Sequence, residues 1–113
     1  MDVSRLATEH VSRFNRSVTA KDFTDFVESF ADNANLAFDR ARVGPFKGRD
    51  AIALAYRVSP PDDTIELVGI DETGPGDAVV QFAWTTDPHR RTGEMLISWT
   101  PDEKVRNLEV RLP

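Results

Sequence analysis

The chain has 113 residues, of which 40% are hydrophobic and 29% charged, and its formal net charge is -5. This length suits one domain over residues 1–113, and the composition excludes an intrinsically disordered chain. The acidic balance argues against a nucleic-acid partner, because surfaces that bind phosphate carry positive charge.

The sequence also gives no sign of a membrane or redox role. No apolar run approaches the about 18 residues that a membrane span needs, and the N-terminus lacks the continuous apolar segment of a signal peptide. We therefore expect a cytoplasmic protein with no membrane partner. The absence of cysteine excludes disulfides and thiolate chemistry. His10 and His89 have no metal-ligand spacing, so we expect neither a metal nor a cofactor.

The N-terminal half of the chain has mainly helical periodicity. In chain order, it predicts a helix over residues 3–18, a second helix from an N-cap at Asp22 to Phe30, a strand over 36–39, a hairpin over 43–48 and a third helix over 49–56. Asp32 and Asn33 are predicted to end the second helix, because their side chains favour turns over helix interiors.

After residue 61 the period of the apolar residues changes from 3.6 to 2, which predicts strands. We expect strands over residues 64–70, 78–86, 94–100 and 105–112, separated by turns at 74–77, 87–90 and 101–104. The helices thus come first in the chain and an antiparallel meander comes last. This order is typical of an α+β fold with the helices on one face of the sheet. A strongly curved sheet around an amphipathic helix forms a cone whose interior is either filled or holds a ligand.

The stretch that begins FADNA at Phe30 and the stretch FKGRDAI that begins at Phe46 carry a resemblance to a known family. With the order of the predicted elements, they resemble the nuclear transport factor 2-like superfamily, in its SnoaL-like branch of polyketide cyclases and ketosteroid isomerases. The resemblance covers essentially the whole chain. It implies a cystatin-like cone of curved antiparallel sheet around the N-terminal helices, a pocket at the wide end, and a homodimer through the sheet.

The isomerase-like members of this superfamily use a Tyr on the first helix, a carboxylate at the end of the first strand and a second acid on a later strand. The resemblance places Phe14, Phe38 and Met95 at these three positions. None of these side chains can donate to an oxyanion or accept a proton. We therefore reject the steroid-isomerase mechanism and leave open whether the chain is an enzyme.

Asp39 and His10 are the two candidates for catalysis by other means. Because strand side chains alternate, Phe38 facing inward would turn Asp39 outward, into a surface ion pair with Arg40 or Arg42, whereas a β-bulge would reverse this. His10 lies beside the apolar stripe, one turn before Phe14, and an imidazole can act as acid or base.

Aromatic side chains complete the candidate pocket. Tyr56 ends the third predicted helix near the expected mouth, and Trp84 and Trp99 lie on the inward faces of neighbouring strands. With Phe14, Phe38 and Met95, they predict a domain that binds a small apolar or aromatic molecule. Two alternatives stay open, namely a cyclase-, dehydratase- or isomerase-like enzyme that uses His10 or Asp39, and a ligand-free dimeric interaction module.

Overall fold

The computed structural model describes residues 1–39 and 43–113. Within these ranges the chain forms three helices, α1 (Val3–Ala20), α2 (Thr24–Glu28) and α3 (Arg49–Val58). It also forms six strands, β1 (Phe30–Asp39), β2 (Phe46–Lys47), β3 (Ile65–Gly74), β4 (Asp77–Trp84), β5 (Thr92–Trp99) and β6 (Val105–Arg111). No helix in the described ranges is both long enough and apolar enough to cross a bilayer.

Helix α1 begins and ends at signals in the local sequence. Asp2 caps its N-terminus, where the carboxylate accepts a hydrogen bond of 3.0 Å from the backbone N–H of Arg5. Lys21 ends the helix in the left-handed conformation, with a φ of 57°. The buried residues form one stripe at helical spacing, namely Val3, Leu6, Ala7, His10, Val11, Phe14 and Ser17. The predicted first helix is confirmed.

The second helix is shorter than the sequence predicts. Phe30 is not helical but is the first residue of β1, where it pairs with Val105 of β6. The N-cap is Phe23 rather than Asp22, although the Asp22 carboxylate accepts hydrogen bonds from Thr24. The prediction was wrong because pairing with a strand from the far end of the chain overrides the local helical pattern.

The predicted break at Asp32 and Asn33 lies inside β1 rather than before it. The register of β1 against β6 shifts between Phe30 and Asn35. The two Asx residues therefore occupy an irregular stretch within a strand, where an interrupted ladder tolerates poor strand formers. As a result, β1 starts six residues earlier than the predicted start at Leu36.

The six strands form one curved sheet in the order β2-β1-β6-β5-β4-β3, and the sheet does not close into a barrel. The predicted meander is confirmed, because β3, β4, β5 and β6 pair consecutively and antiparallel. The strands β1 and β6 pair in parallel, so the sheet is not purely antiparallel as the resemblance implied. Helix α1 packs against β3 and β4, while α3 packs against β1 and β2.

Side chains alternate across β4, β5 and β6, so one face of the sheet is buried and the other is partly exposed. The concave face turns toward the helices and carries Val80, Phe82, Met95, Ile97, Leu108 and Val110, all buried. The convex face carries Val79, Gln81, Glu94, Leu96, Glu109 and Arg111. The core of the molecule therefore lies between the helices and the concave face, as the alternation in the sequence predicts.

Candidate functional site

A small cavity lies inside the cone, between the helices and the concave face. Its volume is about 60 Å³. The described residues that line it are His10, Phe14, Phe26, Phe38, Tyr56, Pro61, Ile65, Phe82, Trp84, Met95, Leu108, Val110 and Leu112. They come from all three helices, from the five strands β1, β3, β4, β5 and β6, and from the segments that follow α3 and β6. None of them carries a carboxylate, so the cavity suits apolar molecules.

An apolar groove of about 320 Å³ lies next to this cavity. Its described lining residues are Leu36, Phe38, Val43, Phe46, Ala55, Tyr56, Ser59, Pro60, Pro61, Trp84 and Leu112. Phe38, Tyr56, Pro61, Trp84 and Leu112 line both spaces and form the wall between them. The cavity and the groove are therefore adjacent, and we call them the inner cavity and the outer groove.

The end of β1 decides the polarity of the inner cavity. Phe38 lines the cavity, whereas Asp39 is exposed and pairs across the sheet with Arg111. The strand therefore keeps its alternation at this point, and the Asp39 carboxylate stays outside the cone. The predicted ion pair of Asp39 with Arg40 or Arg42 lies outside the described residues.

Phe14 and Met95 also line the inner cavity. The apolar side chains of Phe14, Phe38 and Met95 therefore all lie on the wall of the inner cavity. These three side chains can exclude water from the cavity, but none of them can donate or accept a proton.

His10 is a buried imidazole on the wall of the inner cavity. It is 4% exposed, and its ring packs on Phe26 and Phe30 with centroid distances of 5.1 and 6.3 Å. No group in the described part of the chain pairs with its Nδ1. Burial, and secondarily the positive charge of Arg13, lowers the pKa of His10 from 6.5 to about 4. The imidazole is therefore neutral at neutral pH.

Tyr56 contributes the phenol ring of α3 to both spaces. Its ring stacks on Phe23 at a centroid distance of 5.0 Å and meets the edge of Phe26 at 5.3 Å. Burial raises the pKa of the Tyr56 hydroxyl, so it remains protonated throughout the physiological range. The side chain is thus held in place by aromatic packing and can act only as a neutral donor or acceptor.

The two tryptophans have different positions. Trp84 lines both the inner cavity and the outer groove, and its ring meets Phe82 at 90°. Trp99 is buried at the C-terminal end of β5, beside Gly76. It is not among the described lining residues of either space. Strand alternation correctly placed Trp99 on the concave face, but it gave no information on distance along the cone axis.

No family model and no curated protein matches the chain. Solved structures do match it. A SnoaL-like protein of unknown function from Burkholderia thailandensis is 14% identical, with a TM-score of 0.70 and coverage of 94% of this chain and 93% of the other. An NTF-2 like protein of unknown function from Burkholderia xenovorans is 14% identical, with a TM-score of 0.68 and coverage of 97% and 86%. The epoxide hydrolase/cyclase-like enzyme SalBIII, from pyran ring formation in the polyether salinomycin, is 24% identical, with a TM-score of 0.67 and coverage of 97% and 92%.

The chain has the nuclear transport factor 2-like fold. The resemblance drawn from the sequence is therefore confirmed at the level of the fold. This fold carries many unrelated activities, so the function has to be argued from the cavity itself.

Several lining residues of this nuclear transport factor 2-like cone were not predicted from the sequence. They are Phe26, Pro61, Ile65, Phe82, Leu108, Val110 and Leu112. Strand alternation offered a signal for four of them, because Phe82, Leu108, Val110 and Leu112 share a face with predicted inward residues. Phe26 belongs to the apolar stripe of the second predicted helix, which marks it as buried but not as part of the cavity wall. No local pattern marks Pro61, whose position depends on how the segment after α3 packs on the sheet.

Among the described residues of the nuclear transport factor 2-like cone, most other titratable groups lie at the surface, although the Oδ1 atom of Asp77 is buried. His89 is exposed in the turn between β4 and β5, where its backbone N–H donates a hydrogen bond of 3.0 Å to Asp87. Over the ranges that the structure describes, no three His, Asp or Glu side chains come together as metal ligands. The chemistry available in the inner cavity is therefore that of a neutral imidazole, a phenol and an indole.

Proposed function

We propose that this protein binds a small apolar or aromatic molecule inside the cone. The observation that carries the proposal is the almost wholly apolar inner cavity, which adjoins a largely apolar groove at the surface. Pockets of this kind bind ligands chiefly by removing apolar surface from water. Phe38 and Trp84 supply aromatic surface to both spaces, so a ring is a favourable occupant.

Two variants on neighbouring residues of α3 test the site. Ala55 lines the outer groove, so Ala55→Trp fills the groove without removing a contact. Leu54 is 51% exposed and is not among the described lining residues, so Leu54→Trp adds the same ring outside the groove. A panel of apolar and aromatic molecules is screened by thermal shift against the wild type and both variants.

We expect a ligand at 100 times its Kd to stabilise the wild type by about 2.7 kcal/mol. Ala55→Trp should lose this shift and Leu54→Trp should keep it. The absence of any shift in the wild type across a chemically varied panel would contradict the proposal. Equal shifts in both variants would mean that the ligand binds elsewhere.

The enzyme alternative has less support. Asp39 is exposed and is not a described lining residue of the inner cavity. A proton-transfer role would therefore depend on His10, with Tyr56 as the donor. The similarity to SalBIII adds nothing specific, because fold similarity at 24% identity does not transfer an activity.

We also propose that two copies associate through the convex face of the sheet. The helices cover the concave face, and the convex face carries half-buried apolar residues, among them Val79 and Leu96, which pair across β4 and β5. Charges of both signs lie beside them, with Arg111 3.8 Å from Glu94 and 3.7 Å from Glu109. A surface of mixed sign is complementary to a rotated copy of itself.

A further inference from the structure

Nδ1 of His10 is the one fully buried side-chain nitrogen or oxygen, among the described residues that line the inner cavity, that has no hydrogen-bond partner. Among the described lining residues, His10, Tyr56 and Trp84 are the ones whose side chains carry a nitrogen or an oxygen. Of these, His10 is the one with a fully buried atom, Nδ1, that has no partner. A buried polar atom without a partner destabilises the fold, because it has lost its hydrogen bond to water and gained none in return. An unsatisfied buried polar atom calls for an explanation, and a molecule that enters the adjoining cavity supplies one.

Water is a poor candidate for this partner. A buried water molecule usually makes about three hydrogen bonds, and apolar cavities generally stay dry. The inner cavity is lined mainly by carbon, from Phe14, Phe26, Phe82 and Val110 among others. Only a molecule that buries apolar surface at the same time gains enough to occupy it.

The sizes of the two spaces limit the shape of this molecule. The inner cavity of about 60 Å³ corresponds to roughly two water molecules at liquid density, so it admits a narrow group but not a ring. The outer groove of about 320 Å³ can hold a ring. Phe38 and Trp84 line both spaces, so a ligand that extends from one space to the other contacts both of them.

We infer that the ligand is an aromatic or alicyclic molecule with a hydroxyl group at its narrow end, and that His10 holds this hydroxyl while the ring lies in the outer groove. A hydroxyl both donates and accepts, so it pairs with a neutral imidazole through either ring nitrogen. A half-turn of the imidazole about its Cβ–Cγ bond exchanges the two ring edges, and the pairing is possible in both orientations. This inference rests on the proposed function and specifies the ligand class for the same site.

An isosteric pair of ligands isolates the hydroxyl. 3-Phenylpropan-1-ol and butylbenzene have the same shape and differ in carrying OH or CH₃ at the narrow end. Their affinities are measured by calorimetry for the wild type, His10→Leu and His10→Gln. His10→Leu removes the imidazole, whereas His10→Gln keeps a donor and an acceptor at similar length.

We expect His10→Leu to weaken the alcohol about tenfold, which is the usual contribution of one hydrogen bond made in a buried site. Butylbenzene should bind to this variant as well as it does to the wild type, and His10→Gln should recover part of the affinity for the alcohol. Nitrogen NMR of the imidazoles gives a second measurement, because the chain has two histidines and His89→Gln leaves His10 alone in the spectrum. The His10 resonances should shift with the alcohol and stay unchanged with butylbenzene.

Each failure has a distinct meaning. If both ligands bind and His10→Leu weakens them equally, the role of His10 is wrong while the apolar pocket stands. If neither ligand binds to the wild type, the proposed function and the inference both fail. If His10→Leu does not fold, the NMR titration of the wild type tests the inference instead. His10 resonances that do not shift when the alcohol is added would overturn it.

Discussion

His10 lies among phenyl rings on the buried stripe of α1, where a charged imidazole would have no partner. The unfolded chain binds a proton near pH 6.5, but burial keeps the folded state neutral down to about pH 4. Above pH 6.5 both states are neutral, so His10 adds no pH dependence there. Between these two values only the unfolded state is protonated, so stability falls as the pH falls.

The replacement of His10 by Leu should remove this acid sensitivity. At pH 7.5 the variant should be as stable as the wild type or slightly more stable, because it loses an unpaired buried atom. At pH 5 the wild type should be the less stable of the two by about 2 kcal/mol. Urea unfolding across this range measures the difference, with His89→Asn in the exposed turn as the control. Parallel pH profiles for the wild type and His10→Leu would contradict the burial of a neutral imidazole.

Two neighbouring residues show how far the sequence predicts the site. Alternation along a strand predicts that Phe38 and Asp39 face opposite ways, and the structure has Phe38 on the cavity wall and Asp39 exposed. The burial of His10 was harder to predict, because the residue lies at the edge of the apolar stripe of α1. Its surroundings come from Phe26 and Phe30, whose positions depend on α2 and β1 rather than on α1.

At the scale of elements, the packing of β5 on β6 depends on a residue without a side chain. Gly93 lies at the start of β5, on the concave face opposite Phe82. A Cβ at this position would lie 2.6 Å from the backbone oxygen of Arg111 and 2.9 Å from the Phe82 ring. Neither neighbour can move without a shift of the strand or of the core.

The substitution Gly93→Ala should therefore destabilise the fold by about 1–3 kcal/mol, as overpacking does in other cores. Gly69→Ala on β3 is the matched control, because its Cβ would meet only the side-chain oxygen of Gln81, at 2.6 Å. The flexible end of Gln81 can move away, so this change should stay within about 0.5 kcal/mol. Chemical denaturation measures both values. Equal values for the two variants would mean that the β5–β6 spacing adapts freely.

The elements that the sequence predicted well are those whose patterns are local. The first helix, the third helix and the four late strands each repeat a period over at least seven residues. The parallel pairing of β1 with β6 joins residues more than 70 positions apart in the chain, such as Phe38 and Val110. The periodicity of a short stretch of sequence carries no information on such a contact. The predicted start of β1 and the predicted end of α2 were therefore both wrong.

At the scale of the whole molecule, the helices cover one face of the sheet, and no described helix packs on the other. Helix α1 packs on β3 and β4, and α3 packs on β1 and β2, all from the concave side. The convex face is thus a broad, gently curved surface with polar and apolar rows side by side. A surface of this kind can reach the about 800 Å² per partner that stable dimers bury.

If two copies meet through this face, a charge in its apolar row should separate them. Leu96 lies between Val79 and Glu109 in the sheet, near the middle of the convex face. Leu96→Arg would bury an unpaired guanidinium in the interface, which costs far more than one apolar contact contributes. We expect the wild type to sediment at twice the chain mass of 12.7 kDa and Leu96→Arg to sediment as a monomer.

Leu54→Arg controls for the added charge, because Leu54 is exposed on α3 and distant from the convex face. It should leave the dimer intact. The circular dichroism of Leu96→Arg has to match that of the wild type, since a misfolded variant would also change its sedimentation. The proposal that the convex face is the site of self-association would be contradicted by either of two results. One is a wild type that stays monomeric at every concentration, and the other is a Leu96→Arg variant that stays dimeric. Ligand binding in the cone would be untouched by either outcome, because the inner cavity lies on the concave side of the sheet.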